Sequence, residues 1–389
     1  MKTSVAIIGA GPSGLLLGHL LRQAGVDCVV LERQSADYVL SRVRAGVLET
    51  VTTGLMNRLG LDARLKREGL VEEGFNLATD DRLIRIDIKD LTGKHVTVYG
   101  QTELTRDLME AAESRDLGII YDAKDIVLHD VDSGQPSVTF TRDGAEQRIE
   151  AGFIAGCDGY HGPSRKAIPA AMLREYEAAY PFGWLGILAD VPPCHSELIY
   201  ANTDRGFALA SMRSETRSRY YIQVPLTDRV EDWSEEQLWD ALAQRFDPLS
   251  DRGVTRGPAL EMSIAPLRSY VCETMRHGRL FLAGDSGHIV PPTGAKGLNL
   301  AASDVSYLAD ALIGFHHSGD EAGLTDYQSR ALARIWKAER FSWYLTKLMH
   351  RFPSDGKFEH RMQEAELDYL ASSRTMQTVI AENYVGLPL

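Results

Sequence analysis

The first thirty-two residues constrain the fold more than any other stretch. Val5–Ile8 is a short apolar run, "GAGPSG" follows, and "LLLGHLLRQAG" has helical character. "VDCVVLE" then reads as a second buried strand that ends at Glu32. Gly9, Gly11 and Gly14 form GxGxxG, a weak signal by itself. Here it follows a strand and opens a helix, and Glu32 stands eighteen residues beyond Gly14, which makes a Rossmann-type βαβ unit the specific reading. Gly9 permits the tight turn, Gly11 lets a pyrophosphate approach the backbone, and Gly14 allows close helix–strand packing. Ser13 lies in the same turn. The Glu32 carboxylate suits ribose hydroxyls.

Two more glycine–aspartate turns follow apolar runs far downstream. Asp158–Gly159 lies in "CDGYHGPSR" after "FIAG", and Gly284–Asp285 opens "GDSGHIVPPTGAKGLNLAASD" after "RLFLA". The second is rich in glycine and proline and runs into a helical pattern. Bare backbone beside a helix N-terminus favours an anionic ligand, although a surface loop between two elements has the same local look. Asp158 and Asp285 have the alternative of being ordinary turn aspartates. A plain NAD dehydrogenase needs neither turn.

The chain has 389 residues, enough for two domains or one large domain with an insertion. Residues 81–98 read as strands with polar alternation, and "TELTRDLMEAAESR" reads as a helix opened by Thr102. From 182 to 266 the pattern is antiparallel sheet with one helix, "SEEQLWDALAQRF", and beyond Ala301 it is almost all helical. The expected class is α/β: a Rossmann-like dinucleotide domain, an inserted, mainly antiparallel β substrate domain and a C-terminal helical region. The expected boundaries are 1–73, 98–181 and 267–300 for the first, 74–97 and 182–266 for the second, and 301–389 for the third.

A net charge of −12 argues against a nucleic-acid partner. It leaves room for an anionic small substrate, because a local arginine cluster overrides the global field. The four cysteines, Cys28, Cys157, Cys194 and Cys272, form no CxxC and suit neither zinc nor a disulfide framework, so a reducing cytoplasm is the simplest home. Missing CxxC also excludes a flavin disulfide reductase. No metal-ligand cluster stands out. No apolar stretch reaches the roughly 18 residues of a membrane helix, and the N-terminal apolar run is too short for a signal peptide.

Longer strings are more specific: "VAIIGAGPSGLLLG", "VTVYGQTE", "IAGCDG", "YPFGWLG", "ELIYAN", "RSRYY", "SIAPLRS", "HIVPPTGAKGLNLAASDVS", "RIWKAERFSW" and "IAENYVGLP". On these the chain resembles the aromatic flavoprotein monooxygenases, in particular the branch that hydroxylates 4-hydroxybenzoate, over essentially its whole length. The resemblance implies non-covalent FAD, NADPH as co-substrate, dioxygen and a homodimer. It also implies hydroxylation ortho to the 4-hydroxyl through a flavin C4a-hydroperoxide, giving protocatechuate.

The same resemblance assigns roles to individual residues. For FAD it adds Arg33, Arg42, Arg44, Gln101, Asp158, Asp285, Leu298 and Asn299 to the first glycine turn and Glu32. Ser211, Arg213 and Tyr221 match groups that hold a substrate carboxylate; Tyr200 and Tyr384 match two phenols at the substrate 4-hydroxyl; Pro292 matches a proline whose carbonyl touches the reacting ring. Arg219 and Lys296 match cations that bias flavin position and charge. Arg33, Gln34, Tyr38, Arg42, Arg44, His161, Arg165 and Arg268 match the NADPH set, with a solvated basic face as the alternative for the arginines. One departure stands out: the family's "GLVHEG" is "GLVEEG" here, which puts Glu72 at the end of a proton path. Glu72 is expected to be ionised at neutral pH unless buried, and its alternative is a solvated loop residue with the relay ending in water. Two other functions stay open: hydroxylation of a different aromatic acid, and a non-catalytic FAD-binding protein.

Overall fold

The computed structural model describes residues 1–41 and 46–389. Arg42 and Arg44 lie outside the described residues. Among those described, the first sheet is built on parallel strands in the order Leu280–Leu282, Ala145–Gly156, Lys2–Ile8, Cys28–Leu31 and Gly118–Ile120. Lys2–Ile8 is the central strand, and its last four residues are buried, as a strand covered on both faces requires. Lys124–His129 and Ser137–Arg142 extend it as an antiparallel meander from Ala145–Gly156. Helix Pro12–Gln23 packs between this sheet and the long helix Gly297–Ser318.

The second sheet runs in the order His288–Ile289, Ala259–Cys272, Glu175–Ala189, Arg217–Pro225, Gly206–Ser214, Ile199–Thr203, Gly74–Ala78 and Leu83–Asp87. It is antiparallel except where Ile199–Thr203 meets Gly74–Ala78. The long strands Glu175–Ala189 and Ala259–Cys272 pair across both expected junctions, at 181/182 and 266/267, so one ladder joins the two halves. Period-two alternation divides the sheet's side chains. Ala208, Ala210, Tyr220, Ile222 and Val224 face a core closed by helix Glu235–Phe246, whereas Tyr200, Phe207, Leu209 and Trp184 face a second core shared with the C-terminal helices. The region 81–98 is less uniform than its alternation suggests. Ile88–Thr92 is a short helix, capped by the Asp87 carboxylate accepting from the Asp90 N–H, and Val96–Val98 joins a small sheet with Val47–Leu48 and Leu70–Glu72. The 102–115 helix starts at Gln101, one residue early.

C-terminal helices follow at Ala322–Met349, Lys357–Ser372 and Arg374–Val385. The first begins in the core around the first sheet at Leu324 and Tyr327 and ends in the second core at Leu345 and Met349. Among the described residues, no helix is long and apolar enough to cross a membrane.

Candidate active site

The three glycine turns converge. Gly9 has φ +102°, and a Cβ there would lie 2.5 Å from the Cys157 carbonyl oxygen, so the first turn touches the second. A Cβ on Gly14 would lie 1.9 Å from the Gly9 carbonyl oxygen, which is the close helix–strand approach that its motif position demands. Gly284 abuts Ser13 and Ala301, bringing the third turn and the long helix against the first. No side chain caps the N-terminus of Pro12–Gln23 or of Gly297–Ser318. Two uncapped helix ends and bare turns make a donor-rich surface for an anionic group.

Glu32 accepts from the N–H groups of Ala10 at 2.8 Å and Gln34 at 2.9 Å, leaving lone pairs for hydroxyl donors. Asp158 accepts from the Ser164 N–H through Oδ2, and its Oδ1 is buried without a partner. Asp285 is half-buried in the third turn. Gln101 starts its helix beside Gly46, whose absent Cβ would lie 2.9 Å from the Gln101 nitrogen.

Asn299 holds the long helix in place rather than reaching outward. Its Oδ1 accepts from the Glu49 N–H (2.8 Å) and the Thr52 hydroxyl (2.7 Å), and its Nδ2 donates to the Val47 and Ala295 carbonyls. Any flavin contact at 298–299 therefore falls to the first-turn backbone and to half-buried Leu298. Lys296 is similarly engaged. Its Nζ donates to Glu49 at 2.6 Å and to the Tyr384 carbonyl at 2.8 Å, while Arg334 pairs with the other Glu49 oxygen at 2.9 Å. Neither Glu49 nor Arg334, the first residue of "RIWKAERFSW", has a role readable from the sequence, and only the folded chain brings them together. Pro292 starts a tight turn, and its carbonyl accepts from the Ala295 N–H at 2.9 Å.

The residues that the resemblance assigns to NADPH fall in two places. Arg33, Gln34 and Tyr38 follow the strand Cys28–Leu31. His161, Arg165 and Arg268 gather around Tyr160, which sequence reasoning missed: both guanidinium groups lie over its ring, at 4.6 and 4.9 Å. Arg165 also pairs with Glu175 and Arg268 with Glu177.

The pleat that separates the two cores collects the residues expected on the substrate side. Ser211 lies on one face of Gly206–Ser214, Arg213 at a break in register reaches back to it, and Arg219 and Tyr221 share that face on the neighbouring strand, with Ser211 opposite Arg219 and Leu209 opposite Tyr221. Gly186 makes room: a Cβ there would lie 2.6 Å from the Tyr221 ring. Arg213 donates to the Ser211 hydroxyl and the Met212 carbonyl, both at 3.1 Å, and its Nε is buried without a partner. The Ser211 hydroxyl itself donates to the Arg219 carbonyl. Burial pushes the Arg213 guanidinium down from its ordinary value, and neighbouring Arg219 adds to this. Among the described residues no ion pair to Arg213 is found, whereas Arg219 pairs with Glu261 at 3.1 Å. An enclosed cation without a counter-ion is costly until an anion joins it.

Tyr200 sits opposite Leu209, two residues from Ser211, or about 7 Å along the strand. Its hydroxyl lies 3.3 Å from that of Tyr384, which Phe75 stacks at 4.0 Å. Burial pushes Tyr200 up to about 12 and Tyr384 well above its ordinary range. Glu72 corrects an expectation. It is 7% exposed rather than solvated, and burial, helped by the Glu197 charge, pushes it up to about 8. It is then mostly neutral at pH 7 and adds to the field that raises Tyr384 once ionised. The folded state therefore holds a proton that the unfolded chain releases near pH 4.5. Stability should fall as pH rises from about 4.5 to 8, by at most about 1.4 kcal/mol per pH unit from this group. Glu72→Gln removes that slope, so melting temperatures measured at pH 5 and pH 8 should show the variant gaining on the parent at the higher pH. An equal difference at both would show that Glu72 ionises normally.

The fold and site thus define an FAD-dependent aromatic hydroxylase, and the chain belongs to the FAD-binding domain family, whose model matches residues 2–342. It is 56% identical over 389 residues to p-hydroxybenzoate hydroxylase of Acinetobacter baylyi, covering 100% of this chain and 96% of that protein. The fold is also that of p-nitrophenol 4-monooxygenase PnpA from Pseudomonas putida DLL-E4, with a TM-score of 0.80 at 19% identity and 100% of both chains covered. PqsL of Pseudomonas aeruginosa, a probable FAD-dependent monooxygenase, gives 0.77 at 19% identity, covering 95% of this chain and 100% of that one.

Proposed function

We propose that the protein hydroxylates 4-hydroxybenzoate at C3 to 3,4-dihydroxybenzoate, with NADPH as reductant and dioxygen as the oxygen source. One observation carries this reading: the Arg213 guanidinium, which has no counter-ion among the described residues, bonds Ser211 on the sheet face that also carries Tyr200, and the Tyr200 hydroxyl meets that of Tyr384 from the C-terminal helix packed on that face. Similarity to the Acinetobacter baylyi protein supports the same substrate.

The glycine turns, Glu32, Gln101, Asp158, Asp285 and the first turn of Gly297–Ser318 would hold FAD, which when bound and reduced activates dioxygen for transfer to the ring. The chain's own residues do the rest. Arg213 and Tyr221 take the substrate carboxylate, and Ser211 joins them by turning its hydroxyl from the Arg219 carbonyl. Tyr200 does not ionise at neutral pH, so it accepts the substrate's phenol proton as it hands its own to Tyr384. The resulting phenolate makes the carbon ortho to it electron-rich. Glu72, as a neutral acid, cannot take up that proton until the pH approaches 8, and below that the path ends in water. The net positive charge of Lys296, Glu49 and Arg334 favours an anionic flavin nearby. Closure of the pocket against water protects the oxygenating step.

Arg33, Gln34 and Tyr38, with His161, Arg165 and Arg268, would bind NADPH, forked guanidinium donors being suited to phosphate. Arg33→Ser is expected to raise the Michaelis constant for NADPH about tenfold, the scale of one lost charged contact, with FAD content unchanged. Equal use of NADH and NADPH by the parent would remove the basis for that expectation. The chain is taken to act as a homodimer. Apolar side chains on the outer C-terminal helices support this, with Trp336 and Trp343 seven residues apart on one helix and Phe358, Met362 and Tyr369 along the next. Four free, buried cysteines are consistent with a reducing cytoplasm.

A panel of 4-hydroxybenzoate, 3-hydroxybenzoate, benzoate and phenol, scored for hydroxylated product, tests the substrate assignment. Only the molecule with both a carboxylate and a para phenol should be hydroxylated efficiently. Preference for another aromatic acid would move the assignment within the family, and no product with any acid would leave FAD binding without catalysis.

A further inference from the structure

We propose that His350 is a positioning residue for the carboxylate end of the pocket, acting through Trp184 on Tyr221. The proposal rests on the reading of Tyr221 as a carboxylate ligand.

His350 directly follows the helix Ala322–Met349 and is fully buried. Its ring lies between Phe182, at 4.7 Å and 7° from parallel, and Phe207, at 3.9 Å and 22°. Trp184 Nε1 donates to His350 Nε2 at 2.8 Å, and His350 Nδ1 donates to the Thr346 carbonyl at 3.0 Å. These partners fix the proton without ambiguity: an indole nitrogen only donates and a carbonyl only accepts, so the ring is neutral with its hydrogen on Nδ1. Burial holds it in that state, pushing its pKa down to about 3.

The indole held in this way is the one that touches the anchor. Trp184 and Tyr221 have ring centroids 5.1 Å apart, and the Arg219 guanidinium lies 5.0 Å from the centre of the Tyr221 ring. Tyr221 is therefore placed by Trp184, Arg219 and the open face of Gly186, and the indole N–H has His350 as its acceptor. The helix end is stitched to the same sheet by Asn202, which donates to the Leu348 carbonyl at 2.9 Å, and by Gln223, which accepts from the Arg351 N–H at 3.1 Å. Thr346, whose carbonyl takes the His350 proton, also bonds the Thr293 hydroxyl at 2.9 Å, next to Pro292. His350 thus connects the turn at Pro292 to the carboxylate anchor.

The test is a comparison in the FAD-loaded enzyme. His350→Phe keeps the ring stack and orphans the indole N–H. His350→Gln offers an acceptor but no ring. The Phe variant is expected to weaken binding of benzoate and 4-hydroxybenzoate about tenfold, the scale of one unsatisfied buried donor, with the Michaelis constant for NADPH unchanged. The Gln variant should recover affinity to within about threefold of the parent, less than half a decade by the same relation. In a Trp184→Phe background no indole needs holding, so adding His350→Phe should change affinity little. That pair also carries the test if His350→Phe alone fails to fold. A lower melting temperature with parent-like affinity, or a second full loss in the double variant, overturns the proposal. Benzoate, which lacks the phenol, reads the carboxylate end alone, so failure of the 4-hydroxybenzoate assignment would be seen separately in the parent's turnover.

Discussion

Arg213→Lys is expected to weaken binding of 4-hydroxybenzoate by one to two decades. Truncating one partner of a buried charged pair typically costs roughly 2–5 kcal/mol. Lysine keeps the charge, so only part of that is lost, at about 1.4 kcal/mol per decade. What lysine lacks is the fork. In the parent one arm of the guanidinium is held by Ser211 and the Met212 carbonyl, and Nε is buried without a partner. Those fixed bonds aim the rest of the group before any ligand arrives, and an ammonium on a flexible stem has no equivalent. Equilibrium titration of the FAD-loaded protein checks this, with phenol as a control. Phenol affinity should be unchanged, because phenol has no carboxylate to lose. If Arg213→Lys binds 4-hydroxybenzoate as the parent does, Arg213 is not the anchor.

Tyr200→Phe is expected to separate reduction from hydroxylation. The variant retains the ring that meets Phe75 edge-on at 5.9 Å and loses the hydroxyl 3.3 Å from Tyr384. Without it the substrate phenol has no route to Tyr384, and the ring stays less electron-rich. A positioned proton-transfer group contributes on the order of a hundredfold or more to such a step. NADPH oxidation should continue, product per NADPH should fall steeply, and hydrogen peroxide should account for the difference. Simultaneous assay of the three quantities decides it, and one product formed per NADPH in the variant would remove Tyr200 from the mechanism.

What the sequence makes legible follows from how local each feature is. GxGxxG with Glu32 is a contiguous strand–turn–helix signal, and the structure builds it as such. Ser211, Arg219 and Tyr221 sit on two strands joined by a short hairpin, so period-two alternation puts them on one face, whereas Arg213 lies at a break in register and reaches that face through its bond to Ser211. Glu49, Lys296 and Arg334 are a different case. They stand 247 and 285 positions apart in pairs with Glu49, and no periodicity announces a contact of that range. Asn299 shows the same gap in reverse: its place in the first turn of the long helix after the third glycine turn is readable, but its use as a clamp on Val47, Glu49 and Thr52 is not. Glu72 depends wholly on burial, which a charged residue in "GLVEEG" does not advertise. His350 reads as one more residue at a helix end until Phe182, Trp184 and Phe207 close around it.

The central claim is that one atom of dioxygen is placed next to the phenol of a carboxylate-anchored ring. Turnover of 4-hydroxybenzoate by the purified, FAD-loaded protein under ¹⁸O₂ tests it directly, with NADPH consumption followed in the same vessel. The expected result is 3,4-dihydroxybenzoate carrying one labelled oxygen at C3, formed in step with NADPH oxidation that the substrate stimulates. Unlabelled product, or NADPH oxidation that yields only peroxide, would contradict it.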